Sequence, residues 1–355
     1  MPFPADYGGV IDVFFRIKWF TENGWEVILH CFEYDRPKAP ELEQFAKVHY
    51  YHRPKGIHKI ISRLPFIVKT RINEELEKVL ANTKDVVLLE GLHCAHYLNL
   101  QPGKFWLRTH NIEHKYYKEL AKSSVGAKRL FFTAEAKKLK KYESTLSKAK
   151  GLLVIAENEV EHFKKINANS IWLPPLFEKE TTFVQTKPYV LFHGNLSVEE
   201  NRDAAFWIAE KILPKLREIK FIFAGKNPSK KLQSTIQEAG GKVVANPSQT
   251  EMNDLINEAG VHLLWTKQAS GVKLKFLNAL ASSGHVVCSP EIVSGSGISE
   301  GFHLVENTAE IVGLIPNLLA KQLDLTNWKA RIEVLKGKFG GVELGKVFLL
   351  ESPLE

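Results

Sequence analysis

The sequence predicts an α/β protein with parallel sheets and helical crossovers, arranged as two domains. Three observations carry this. Short apolar runs alternate with longer amphipathic segments along nearly the whole chain, the pattern of strand–helix–strand units. At 355 residues the chain is too long for one comfortable core. The stretch LPPLFEKETTFVQTKP, Leu173 to Pro188, has neither a helical nor a strand period and is rich in proline and charge, as a linker is.

In chain order, the first half reads as a helix over Gly9 to Asn23, a strand over Glu26 to Cys31, a helix over Lys69 to Ala81, and strands over Asp85 to Leu89 and Phe105 to Thr109. A helix over Ala134 to Lys148 and a strand over Gly151 to Ile155 complete it. The second half offers strands at Tyr189 to His193, Lys220 to Ala224, Lys242 to Ala245, Val261 to Trp265 and His285 to Ser289, with a weak one near Phe302 to Val305. The expected domains are 1–175 and 189–330, joined by a linker at 176–188, with 331–355 packing back on the first domain. One element is absent. A doubly wound domain opens with an apolar strand before its first Gly-rich turn, yet here Asp6-Tyr7-Gly8-Gly9 follows only five residues. The expectation is a missing first strand and a misassigned or truncated start.

Charged residues make up 25% of the chain, and no apolar run approaches the roughly 20 residues that a membrane span requires. The N-terminus MPFPADYGGV has neither a basic nor an apolar leader region. Cys31, Cys94 and Cys288 are too few and scattered for a disulfide framework or a metal knuckle. The expected compartment is the cytoplasm, with a peripheral position at the inner membrane face left open. The net charge of +8 points to an anionic partner. Much of it falls in 115–150, where Leu130, Phe131, Phe132 and Leu139 are interleaved with lysines, as in a helix lying on anionic headgroups at about 1 kcal/mol per nearby cation. A solvated helix whose aromatics face its own core fits the same pattern. Nucleic acid is not expected, because no helix-turn-helix, RNP or zinc pattern accompanies the charge.

The most informative stretch is QASGVKLKFLNALASSGHVVCS, 268–289. Gly271 lets backbone approach a ligand. Lys273 and Lys275 fall in what reads as the first turn of a helix, where free N–H groups already favour an anion. A phosphate fits there, and so does an ordinary helix with solvated lysines.

With PFPADYGGVIDVF, RLPFIVKTRIN, RTHNIEHKYY, FHGNLSVEEN, SGVKLKFLNALASSGHVV and a later SEG in this order, the chain resembles the GT-B glycosyltransferases, most nearly those of the family-4 type (glycosyl transferases group 1). The resemblance implies two Rossmann-like domains across a cleft. It also implies transfer of a sugar from a UDP- or GDP-linked donor to a saccharide or lipid-linked hydroxyl, usually with retention, without metal or other cofactor. By the same resemblance Gly8 and Gly9 form the first-domain turn and Gly194 and Asn195 the second-domain turn facing the diphosphate. Lys275 and Lys273 neutralise that diphosphate, and His110 reaches the donor sugar, with Arg108, Asn111 and Glu113 as hydrogen-bonding neighbours. Asn246 and Pro247 lie beneath the base. Two glutamates of the family are here Ser270, beside Gly271, and Asn278, the latter at the ribose. The common Arg and Lys after the second-domain turn are replaced by Asn195 and Glu199-Glu200-Asn201. These departures keep open a degenerate protein that binds a nucleotide sugar or a partner without transfer, and an epimerase on the same architecture.

Other motifs are poor. His93, Cys94 and His96 fall within four residues and lack a second ligand cluster. There is no Asp-x-Asp pair, no GxGxxG after a strand, no Walker loop and no G-x-S-x-G elbow.

Overall fold

The computed structural model describes residues 2–3, 8–33, 38–54, 56, 62–179 and 181–348. The chain divides into two compact units, 1–176 with 341–355, and 177–340.

In the first unit, helix α1 (Gly8–Glu22) precedes two parallel strands, β1 (Ile28–Glu33) and β2 (Lys47–His52). A short α2 (Phe66–Lys69) and α3 (Glu74–Asn82) follow, α3 starting where the Asn73 side chain accepts from Leu76 N. Strands β3 (Leu88–Glu90), β4 (Trp106–Thr109), β5 (Gly151–Val154) and β6 (Ser170–Trp172) form a second parallel sheet in the order β3-β4-β5-β6. Between β4 and β5 run α4 (Glu113–Lys122) and α5 (Gly126–Tyr142), and α6 (Val160–Lys164) precedes β6. Phe32 and Tyr51 of the two-stranded sheet share one apolar cluster with Leu89, Leu107 and Leu152 of the four-stranded one, so both sheets rest on a common core.

The second unit has six parallel strands: β7 (Lys187–His193), β8 (Lys220–Gly225), β9 (Lys242–Ala245), β10 (Ala259–Leu264), β11 (His285–Cys288) and β12 (His303–Leu304), ordered β12-β11-β10-β7-β8-β9. Its helices are α7 (Glu199–Lys211), α8 (Lys230–Glu238), α9 (Gln249–Glu258), α10 (Leu274–Ala281), α11 (Pro290–Val293), α12 (Thr308–Leu319) and α13 (Leu325–Phe339). Helix α9 begins with a full Ser248/Glu251 capping box. Strands β7 and β10 are apolar and buried along most of their length, as central parallel strands covered by helices on both faces must be. The order reverses between β7 and β10. That is the topological switch point, and the space beyond the carboxyl ends of those strands is where ligands bind in open α/β sheets.

Several expectations change. Strands β2 and β6 were not foreseen. The expected helix 134–148 is α5 to Tyr142 followed by a 3-10 stretch, Glu143–Lys148. Residues 176–188 do not serve as a free linker: Phe177 and Phe183 pack with Phe276, Trp328 and Phe339, and Val184 N donates to Ser283 Oγ. Of 331–355, the part up to Gly340 belongs to the second unit, because α13 buries Trp328, Ile332 and Leu335 there. Only α14 (Val342–Phe348) joins the first, where Phe348 packs edge-on against Phe20. Gly8 and Gly9 open α1 rather than forming a turn, and Asp6 and Tyr7 lie outside the described residues.

Candidate functional site

In the second unit the switch point gathers a glycine turn, two lysines and a glutamate. The chain leaves β7 at Gly194, whose amide donates to Ala224 O. Asn201, two residues into α7, then turns back so that its Nδ2 donates to Asn195 O at 3.0 Å. Gly194 holds φ at +156°, and a Cβ there would come within 3.1 Å of the Asn201 side chain, so glycine suits this turn sterically as well. Lys275 Nζ donates to Asn201 Oδ1 at 2.8 Å and lies 5.6 Å from the centre of the Phe192 ring. Burial pushes the Lys275 ammonium down to about 8, with Lys273 adding to the effect and Glu200 opposing it. An incoming anion would reverse that shift.

Lys273 is the N-cap of α10 rather than a first-turn residue, and its Nζ pairs with Glu200 Oε1 at 3.0 Å. Glu200 Oε1 also accepts from Thr266 Oγ1 at 2.6 Å, just past the end of β10. Burial alone would raise the Glu200 carboxyl, but Lys273, the Thr266 hydroxyl and Lys275 outweigh it and hold it low. Two cations therefore face one anion here, and the excess is a single positive charge. His193 is enclosed nearby, its Nε2 without a partner among the described residues, and burial together with Lys275 and Lys179 pushes its imidazole down to about 3, so it stays neutral.

The remaining second-unit expectations are placed less directly. Asn195 Oδ1 accepts from Ser197 N and Oγ, so its side chain builds the turn. Asn278 Nδ2 donates to Leu274 O of its own helix at 3.2 Å. Ser270 Oγ accepts from Gln268 Nε2, and Gly271 takes φ +67°. Asn246 adopts φ +52° and its Oδ1 accepts from Asn227 N, tying the loops after β8 and β9 together ahead of Pro247.

In the first unit His110 follows β4, and its ring lies 3.1 Å from Glu90 Oε2 at the end of β3. Glu90 Oε1 pairs with Arg16 at 2.9 Å; Arg16 also reaches Asp12, and Asp12 takes a two-point contact from Arg108 at 2.8 and 3.2 Å. Arg108, expected as a hydrogen-bonding neighbour of His110, is instead fully buried in this chain of ion pairs, and its Nη1 donates to Leu173 O. Gly91, at φ +81°, leaves room for two imidazoles: a Cβ there would stand 2.7 Å from His93 and 3.4 Å from His110. Glu113 opens α4. Burial pushes its carboxyl up to about 7, against the opposing pull of His110 and Arg71. Asn111 is partly buried next to His110. Sequence reasoning missed Asp12, Arg16, Glu90, Thr266 and the inward turn of Glu200, because each acts through a partner distant in the chain.

His96 bonds Glu77 at 2.7 Å and forms no cluster with His93 and Cys94. Among the described residues one group has metal-ligand character: His114, Glu143 and His162, with Glu143 bridging both imidazoles at 3.3 and 3.0 Å. In the basic segment, Phe131 and Phe132 pack on Phe66 and Tyr117 and Leu139 is buried, while Val125 and Leu130 remain 85% and 73% exposed. No helix among the described residues is long and apolar enough to cross a membrane.

Residues 187–321 match the family described as Glycosyl transferases group 1. An uncharacterized 44.6 kDa protein in the cps region of Klebsiella pneumoniae is 27% identical over 340 residues, covering 88% of this chain and 86% of that protein. Among solved structures, TarM of S. aureus aligns with a TM-score of 0.58 at 16% identity over 80% of this chain, which spans 57% of TarM. Anabaena Alr3699/HepE, solved in complex with UDP and glucose, aligns at 0.64 and 12% identity over 98% of this chain and 96% of its own. The fold is GT-B, and the likeness to group 1 glycosyltransferases in sequence is carried by the match over 187–321.

Proposed function

We propose that the protein is a glycosyltransferase that moves a sugar from a UDP- or GDP-linked donor to a saccharide or lipid-linked hydroxyl, with retention and without a metal. The observation that carries this reading is the pair Lys273 and Lys275 beside the Gly194 turn at the switch point, within the segment that matches the family. Charge develops on the diphosphate oxygens as the bond to the sugar breaks. A buried ammonium and a glycine turn supply fixed positive potential for it. His110, held by Glu90, is the residue that steadies the positive charge on the sugar ring. The departing diphosphate takes the acceptor proton in a front-face route, which requires no separate base. The UDP of the TarM and HepE complexes is in keeping with such a donor, and the cps-region relative with polysaccharide biosynthesis. The exposed Val125 and Leu130 among lysines are in keeping with a peripheral place on an anionic membrane at the cytoplasmic face.

A second reading is favoured by Glu200 and Asn278. One lysine is already neutralised, and the residue at the ribose position bonds its own helix, as in a protein that binds a nucleotide sugar without transfer. Calorimetric titration with UDP, GDP and their sugars, with and without EDTA, tests both. The transferase reading expects binding of one nucleotide, indifferent to EDTA and lost in Lys275→Ala, together with slow release of nucleoside diphosphate from the sugar form. Binding without any release favours the second reading, and no binding from folded protein refutes both.

A further inference from the structure

Away from the switch point, the second unit contains a cavity of about 350 Å³ between α10, the β11–β12 edge and α13, within the size range of small-ligand sites. Leu280, Phe302 and Val334 give it apolar walls, and Arg331 of α13 lines it. Arg331 is only 6% exposed, so its charge has been taken almost entirely out of water. Its Nη1 donates to Gly284 O at 2.8 Å, but Nε is enclosed without an acceptor, and among the described residues no carboxylate pairs with it. The other buried arginines among the described residues differ: Arg108 and Arg16 are both matched by Asp12. The backbone also makes room for the Arg331 stem, because Gly301 takes φ +88° and a Cβ there would stand 3.0 Å from Arg331 Cγ.

A buried guanidinium with spare donors and no counter-ion is costly unless an anion completes it. Planar forked donors of this kind select carboxylates and phosphates. We propose that this cavity binds a small organic anion, a carboxylate or phosphate monoester whose charge pairs with Arg331 and whose apolar body lies against Leu280, Phe302 and Val334. The site is separate from the lysine pair: Lys275 stands at the N-terminal end of α10 and Leu280 near the other end of that helix. It therefore holds whether or not the lysines bind a nucleotide.

The test is thermal denaturation of the full chain with phenyl phosphate, benzoate, inorganic phosphate and the neutral benzamide. Each is run on the wild type, on Lys275→Ala, on Arg331→Met, and on Ala330→Phe, which fills the exposed mouth of the cavity and leaves Arg331 in place. Phenyl phosphate or benzoate at about a hundred times its Kd is expected to raise Tm by about 5 °C in the wild type and in Lys275→Ala. The rise is expected to vanish in Arg331→Met and Ala330→Phe. Should Arg331→Met fail to fold, Ala330→Phe decides alone. No rise in the wild type, an equal rise in Ala330→Phe, or an equal rise with inorganic phosphate or benzamide overturns the proposal.

Discussion

Asp12→Asn tests the ion-pair chain that carries His110, and its magnitude follows from the geometry. Asp12 is 0% exposed, receives Arg108 through two contacts at 2.8 and 3.2 Å, and receives Arg16 at 3.2 Å. Asparagine keeps the shape but removes the charge and turns an NH₂ toward guanidinium N–H groups. Glu90 is then the remaining carboxylate on Arg16, and Arg108 is left buried with none. Breaking a buried pair from one side costs about 3–5 kcal/mol. Acid provides a second readout. Burial alone would raise the Asp12 carboxyl, yet Arg108 and Arg16 together hold it at about 2, below the ordinary 3.8. Because that value is depressed on folding, the unfolded chain binds the proton more tightly. The contribution is present above about pH 4 and lost as pH falls toward 2; at about 1.4 kcal/mol per pH unit it amounts to roughly 2–3 kcal/mol. Since the two units need not melt together, the assay is hydrogen exchange at β4 amides in urea, from pH 3 to pH 7. The variant is expected to be less protected at pH 7 and to lack this acid slope. A loss below about 1 kcal/mol with the slope unchanged would refute the reasoning.

Glu200→Gln removes the one negative charge 3.0 Å from Lys273, so nucleoside diphosphate affinity in a calorimetric titration is expected to rise about tenfold; unchanged or weaker affinity would place the diphosphate elsewhere. Gly225→Ala drives a Cβ to 1.7 Å from Gly194 O, a backbone atom that cannot swing aside, and is expected to cost the second unit at least about 3 kcal/mol in urea denaturation; a loss under about 1 kcal/mol contradicts the close approach of β7 and β8. Burial holds the Glu113 carboxyl at about 7, above its ordinary 4.5, so folding favours the proton and stability falls as pH rises through that window; Glu113→Gln is expected to remove this slope from a pH series of Tm, and an unaltered slope would assign it to another group.

The second unit was more legible in the sequence than the first, for a physical reason. Its strands β7, β8, β10 and β11 are covered on both faces and read as apolar runs, whereas β2, KVHYYH, is half exposed along most of its length and β6 has three residues, so neither produces a period. In the basic segment both readings of the pattern hold in part: Phe131 and Phe132 turn inward while Leu130 stays out, a division set by the packing of α4 on α5 that composition does not encode.

The candidate site divides along the same line. Lys273, Lys275 and Gly194 were legible because a glycine turn and a lysine at a helix start are local signals. Their partners were not, since the Lys275 to Asn201 bond closes over 74 residues and the Glu200 contact to Thr266 over 66. A sequence pattern counts two lysines and assigns the site a charge of two. The fold delivers Glu200 into the same space and halves it. The electrostatic strength of this site is thus set by the side chains that the β7 and β10 ends bring together and not by the lysines alone, and a substitution at Glu200 alters it while leaving Gly194, Lys273 and Lys275 intact.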